Sequence, residues 1–258
     1  MSRSTALITG ASSGIGAELA KLCAAGGYDV VLVARRAAQL EKLAADLVAR
    51  HSIDARIVTA DLSGEAAPDE IARTLNGRTL DVLINNAGFG VHGPFSRTDW
   101  AEERRLIEVN MIAPVRLSKI FLPLMLERGS GRILNVASTA AFVPGPLMAM
   151  YYASKSFLVS FSLAVAREVK GTGVSVTVLC PGPTRTEFGD VAGLQSSRLF
   201  QGPSMSAEAV AREGFDAMLA GKDEVIAGAR NRWLILGTRL APRRMLAAMA
   251  QRLNSAVK

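Results

Sequence analysis

The sequence predicts an α/β protein: a single-domain, Rossmann-like, doubly wound parallel sheet of about seven strands, with helices on both faces. Three observations carry this. Short, continuously apolar runs alternate with amphipathic stretches of helical period. Such runs read as strands covered on both sides, which is how parallel sheets are buried. The first run, Ala6-Leu7-Ile8, breaks at Gly10 and passes through Gly14 and Gly16 into a helical stretch. Strand, glycine turn and helix together bring bare backbone N–H groups to a helix N-terminus, a ready site for a phosphate. Finally, 258 residues suffice for one large domain, and no linker, repeat or low-complexity segment interrupts them.

Taken in order, the strands are expected near residues 5–9, 29–34, 55–60, 80–85, 131–137, 174–180 and 223–228. The helices are expected near 15–25, 37–50, 65–76, 99–127, 151–170 and 206–220. Right-handed crossovers then wind the helices onto both faces. Residues 1–228 form the nucleotide-binding and catalytic domain in this reading, and 229–258 a basic extension packed on or near it.

Composition narrows the class. Apolar residues make up 49% and charged residues 21%, as in a globular chain rather than a disordered one. No apolar run approaches the ~20 residues of a membrane span. The N-terminus enters the first strand almost at once, so no signal peptide is expected. Cys23 and Cys180 fall in a helix and a strand, which favours buried thiols in a reducing compartment over a disulfide. A cytoplasmic location is the expectation. His51 and His92 are isolated and no Cys/His cluster has ligand spacing, so no metal is expected. The net charge of +7 sits in the tail: no Asp or Glu follows Glu224, whereas Arg230, Arg232, Arg239, Arg243, Arg244, Arg252 and Lys258 do. A neutral body without a recognition motif argues against nucleic acid as a partner.

In a doubly wound sheet, ligands bind at the carboxyl ends of the strands. After the first strand come Gly10, Ser12, Ser13, Gly14, Ile15 and Gly16. After the second come Arg35 and Arg36, where an acid would bond the ribose hydroxyl of NAD. Guanidinium forks suit a phosphate instead, so NADP(H) is favoured and NAD(H) remains open. The plainer alternative is that both arginines merely start a solvated helix. Asp61 and Leu62 follow the third strand, as adenine contacts or as a helix cap. Asn86, Ala87 and Gly88 follow the fourth, small enough for close backbone approach. Ser138 follows the fifth, and Tyr151 and Lys155 stand one turn apart on the next helix. A lysine ammonium beside a phenol is expected to lower its pKa toward the range useful for acid–base work.

With these pieces assembled, the chain resembles the short-chain dehydrogenase/reductases of about 250 residues. The resemblance rests on Thr9-Gly10-Ala11-Ser12-Ser13-Gly14-Ile15-Gly16, Asn85-Asn86-Ala87-Gly88, Asn110, Ser138, Tyr151-x-x-x-Lys155 and Pro181-Gly182. It implies a tetrad of Asn110, Ser138, Tyr151 and Lys155, with Tyr151 as the acid–base. Lys155 would lower its pKa and bond the nicotinamide ribose. Ser138 would orient the substrate oxygen. Asn110 would hold a water from a helix kink, for which Pro114 is the expected cause. Tyr151, Lys155, Pro181, Gly182, Thr184 and Thr186 would contact the nicotinamide half of the cofactor. Tyr152 reads as packing. Where NADP-preferring members often carry a basic residue this chain has Ser13, so coenzyme choice rests on Arg35, with weaker help from Arg36.

The implied activity is interconversion of a carbonyl and an alcohol on a small, apolar substrate. Phe89, Phe142, Met148 and Phe188 are the candidate substrate contacts, joined by Val143, Leu147, Leu194, Leu199 and Phe200. Residues 182–205 read as a long Gly- and Ser-rich loop suited to a mobile lid. The apolar-and-arginine tail has three open fates: an anionic membrane surface, a cover on the lid side of the site, or a dimer contact. It lacks the glycine-rich ending of many tetrameric members, so a homo-oligomer is expected with the dimer favoured. The competing reading is a nucleotide-binding regulatory protein whose basic tail engages a membrane or acidic partner.

Overall fold

The computed structural model describes residues 3–191, 193 and 197–255. Leu194, the Phe200 side chain and Lys258 lie outside the described residues.

Seven strands form one parallel sheet. They are β1 (Thr5–Thr9), β2 (Asp29–Ala34), β3 (Ala55–Thr59), β4 (Val82–Asn85), β5 (Gly131–Val136), β6 (Val174–Cys180) and, after a small two-stranded sheet, β9 (Glu224–Ile226). Their order is β3-β2-β1-β4-β5-β6-β9. The chain therefore winds outward from β1 in one direction and returns to continue from its other side at β4. The crevice at that reversal is where such sheets bind nucleotides.

Side-chain alternation assigns the layers. Ala6 and Ile8 of β1, Val30 and Leu32 of β2, and Val82 and Ile84 of β4 enter one core. Leu7, Val31, Val33 and Leu83 enter the other. Successive residues of a strand point to opposite faces, so strands that are apolar throughout need cover on both. The first core is covered by α1 (Gly14–Ala25), α2 (Ala37–His51) and α9 (Ala207–Leu219). The second is covered by α3 (Ala67–Thr74), α5 (Ala113–Arg128) and part of α6 (Ala149–Glu168).

Three expectations need refinement or correction. The first concerns the helix near 99–127, which runs from α4 (Trp100–Ile107) through a π-helical turn (Glu108–Ile112) into α5. The Ala113 N–H donates to the Glu108 carbonyl, a five-residue closure. The bend at Asn110 is a π-bulge, and Pro114, inside this continuous helix, has no N–H to close the next turn, so the expected proline kink takes this form. Second, this same Trp100–Arg128 helix is long and apolar enough to cross a membrane by length and composition. The polar residues that interrupt the apolar run do not bring its average down. Leu117, Phe121 and Met125 bury one face of it against the sheet, as in a core helix.

Third, residues 182–205 are not one open loop. They contain β7 (Thr184–Arg185), α7 (Phe188–Val191) and α8 (Arg198–Gln201), and β8 (Met205–Ser206) pairs with β7. The tail folds into α10 (Ala229–Thr238) and α11 (Arg243–Asn254).

Candidate active site

The glycine turn is built by close packing. Gly10 has φ +66°, and a Cβ there would press on the Asn86 amide and the Ala87 backbone. Asn86 Nδ2 donates to the carbonyls of Thr9 and Gly10, locking the turn to the end of β4. Gly16 does not line the cavity as expected. It is buried, with the Gly10 carbonyl where its side chain would be, and so seats α1 on the turn. Ser13, the N-cap of α1, makes no side-chain capping bond, and Gly14 and Ile15 of the first turn line the cavity, so this helix N-terminus is open to an anion.

Arg36 and Arg35 behave differently. Arg36 donates to Ser12 Oγ (3.0 Å) and Ser13 Oγ (2.8 Å), and pairs with Glu187 at 2.8 Å. Arg36 and Ser13 hold the Glu187 carboxyl below its ordinary pKa. Arg35 is exposed on the rim and forms no ion pair among the described residues. Asp61 lies below its usual range: partial burial opposes ionisation, but bonds from Ser63 and the charges of Arg35 and Arg105 outweigh it.

At the other end, Ser138 caps a 3-10 turn (Thr139–Phe142) by accepting from the Ala140 N–H at 3.1 Å. Lys155 is buried and donates to the Val136 carbonyl at 3.0 Å, with Nζ 5.7 Å from the Tyr151 ring centre. Desolvation lowers its pKa to about 8, against a weaker opposing influence from Cys180. The expected depression of the Tyr151 phenol is not what the geometry produces. Burial raises it well above its ordinary value, and hydrogen bonding to Ser138 opposes the rise. The reason is distance and dielectric: Lys155 faces the ring and a backbone carbonyl, while the phenol is enclosed by Tyr152 and Phe188.

Asn110 lies outside the cavity wall and acts as a bracket. Its amide donates to the Phe89 carbonyl (3.0 Å) and Ser154 Oγ (3.1 Å) and accepts from the Phe89 N–H (3.1 Å). Ser154 in turn donates to the Tyr151 carbonyl at 2.7 Å. The π-bulge is thus tied to both the β4 loop and the tyrosine turn of α6. Gly88 permits this, since a Cβ would approach Asn110 Oδ1 at 3.1 Å and Lys155 Nζ at 3.2 Å.

One cavity of about 770 Å³ joins these parts. Gly10, Ser12, Ser13, Gly14, Ile15, Arg35, Arg36, Asp61, Leu62, Asn86, Ala87 and Gly88 line its nucleotide end. Ser138, Tyr151, Lys155, Pro181, Gly182, Thr184 and Thr186 line its centre, with Phe89, Met148 and Phe188 beyond. Phe142 is a correction: it packs against Ala137, Leu158, Val159 and Val178 instead of reaching the cavity, because the 3-10 turn faces it inward.

The tail takes up one of its expected fates, a cover on the site, and does so through contacts the sequence did not single out. Leu234, Thr238, Met249 and Leu253 also line the cavity. Asn254, with no exposed surface, accepts from the Tyr152 hydroxyl (3.2 Å) and donates to the Pro146 carbonyl (3.0 Å). Its own carbonyl meets His92 Nε2 at 2.9 Å. Tyr152 therefore anchors α11 as well as packing.

This turn–tyrosine–lysine arrangement can move a proton to or from an oxygen held beside a bound nucleotide. Residues 4–195 match the family model described as short chain dehydrogenase. The chain belongs to the short-chain dehydrogenase family. A very-long-chain 3-oxoacyl-CoA reductase of Pyrenophora tritici-repentis (strain Pt-1C-BFP) is 37% identical over 177 residues, covering 66% of this chain and 52% of that protein. The chain thus spans about half the length of the curated relatives it first matches. Among solved structures, a short-chain dehydrogenase from Sphingobium yanoikuyae in complex with NADPH is 32% identical, with TM-score 0.83 over 92% of this chain and 94% of that one. A bulky-bulky ketone specific alcohol dehydrogenase from Comamonas testosteroni is 29% identical, with TM-score 0.79 and 93% of each chain covered.

Proposed function

We propose that this family member is an NADP(H)-dependent reductase acting on the carbonyl of a bulky apolar substrate. The observation that carries the reading is one continuous cavity running from the uncapped helix and Arg35 to Ser138, Tyr151 and Lys155. The relatives named above as a 3-oxoacyl-CoA reductase and a bulky-ketone dehydrogenase, and the NADPH complex, support it.

The nucleotide would supply the hydride. Its phosphates would lie on the glycine turn and the α1 N-terminus, and the rim guanidinium of Arg35 would meet a 2′-phosphate. Ser138 would hold the substrate oxygen. Tyr151, kept protonated by its buried setting, would donate the proton to that oxygen as the alcohol forms. Lys155 would place its cation beside the phenol and the ribose. Val143, Met148, Phe188 and Leu199 would receive the apolar body of the substrate.

The test is Tyr151→Phe, assayed by NADPH oxidation against 3-oxoacyl thioesters and bulky ketones. Turnover should fall at least about a hundredfold, the usual worth of a general acid, while nucleotide fluorescence shows NADPH still bound. Full turnover in the variant would refute the assignment.

A further inference from the structure

The last two helices present a surface that the reductase chemistry does not use. Trp233, Leu236 and Leu240 on and after α10, and Met245 on α11, are exposed, Trp233 to 74% and Leu240 to 91%. Met245, Met249 and Leu253 form an i, i+4, i+8 stripe beside the buried stripe Leu246, Ala250 and Asn254. Arginines 230, 232, 239, 243, 244 and 252 stand among these residues, exposed, with no Asp or Glu after Glu224. Glu213 pairs with Arg232 alone; the other five arginines form no ion pair among the described residues.

Isolated exposed leucines need no explanation, but a concentrated apolar face rimmed by one sign of charge does. A second copy of the chain fits poorly. In a two-fold contact the same patch faces itself, so six arginines a side would meet arginines, with Glu213, already paired with Arg232, as the one carboxylate the patch engages among the described residues. An anionic bilayer offers both complements at once, phosphate and carboxylate headgroups for the guanidinium groups and acyl chains for Trp233 and Leu240.

The cavity borders this face. Leu234, Met249 and Leu253 both line it and are 38–57% exposed, and we take them as its mouth. We propose that the α10–α11 face docks on an anionic lipid surface, bringing the mouth of the cavity to the headgroup level so that an apolar carbonyl substrate enters from the bilayer. The docking stands on the surface alone; the entry of substrate rests on the reductase reading.

Flotation of the full chain with vesicles tests it. Phosphatidylcholine vesicles carrying about 30% phosphatidylserine should capture the protein, and phosphatidylcholine alone should capture far less. The double variant Trp233→Ser/Leu240→Ser touches neither the cavity lining nor any side-chain hydrogen bond of the tail among the described residues, so its NADPH titration serves as a folding control. Its capture should drop by about tenfold or more, with NADPH binding unchanged. Capture without any carbonyl turnover would uphold docking while removing the reductase reading. No capture of the full chain, or equal capture of the double variant, would overturn the proposal. So would a dimer in sedimentation that the double variant dissolves, since a second copy would then cover the face.

Discussion

In the proposed reading, single residues decide coenzyme choice and proton handling. Arg35 and Arg36 stand side by side in sequence, and the sequence alone ranks them only weakly. The structure separates them, because Arg36 is already engaged by Ser12, Ser13 and Glu187 while Arg35 is free on the rim. Arg35→Ala should therefore weaken NADPH binding by about 1.5–3 kcal/mol, the worth of a charge-assisted bond, and leave NADH binding nearly unchanged. Equal loss for both nucleotides in a fluorescence titration would show that Arg35 does not read the 2′-phosphate. Tyr151 and Lys155 are equally legible as a one-turn pair, but their electrostatics are not: burial cannot be read from spacing. Lys155 is the group that titrates in reach, at about 8. In the proposed mechanism its ammonium is the form that supports the site, and it is lost as pH rises through that value. Tyr151, pushed upward, stays protonated across the window. Reductive kcat/KM should thus be level at neutral pH and decline above about 8. A rate that climbs through that region would contradict this assignment of the protonated forms.

At the scale of elements, the strands were legible because most are short, largely apolar runs, and β1 through β6 and β9 fall at or near those runs. The π-bulge was legible only as a kink near Pro114, since a five-residue closure leaves no composition mark of its own. Thr184 pairing with Met205 was hidden in the same way, by a separation that local pattern cannot span. The anchoring of α11 is the extreme case. Asn254 meets Tyr152, Pro146 and His92 across 102 to 162 residues of chain, and an asparagine near a C-terminus announces nothing by itself. Yet it fixes the helix that carries Met249 and Leu253 into the cavity wall. Asn254→Ala leaves the Tyr152 hydroxyl and the Pro146 carbonyl without their partner, at a cost of about 1–3 kcal/mol. Loosening that wall should raise KM for a bulky ketone by about tenfold, roughly 1.4 kcal/mol of binding, while the NADPH affinity holds. If KM and NADPH affinity moved together, Asn254 would be supporting the whole fold and not the substrate end.

Across the whole molecule, the two cores share the same strands, so neither can be lost alone. Leu7 and Leu83 face one layer while Ala6, Ile8, Val82 and Ile84 of the same two strands face the other. The tail joins this unit through the fully buried Asn254 and through Leu246 and Ala250. Leu83→Ala tests the coupling at its centre, because Leu83 is fully buried on β4 between β1 and β5. The cavity it leaves should cost about 2–5 kcal/mol. At about 2–4 °C per kcal/mol for a chain of this size, the melting temperature should fall by roughly 5–15 °C. Far-ultraviolet dichroism reports the helices as a whole, and in a Trp100→Phe background, which removes the tryptophan of α4, emission reports Trp233 in α10 alone. Both probes should shift together in one transition, since the mutation weakens a sheet on which every layer depends. A tryptophan transition that stays in place while the dichroism shifts would mean that the C-terminal helices unfold on their own, and the sheet would then not be what holds the roof of the cavity.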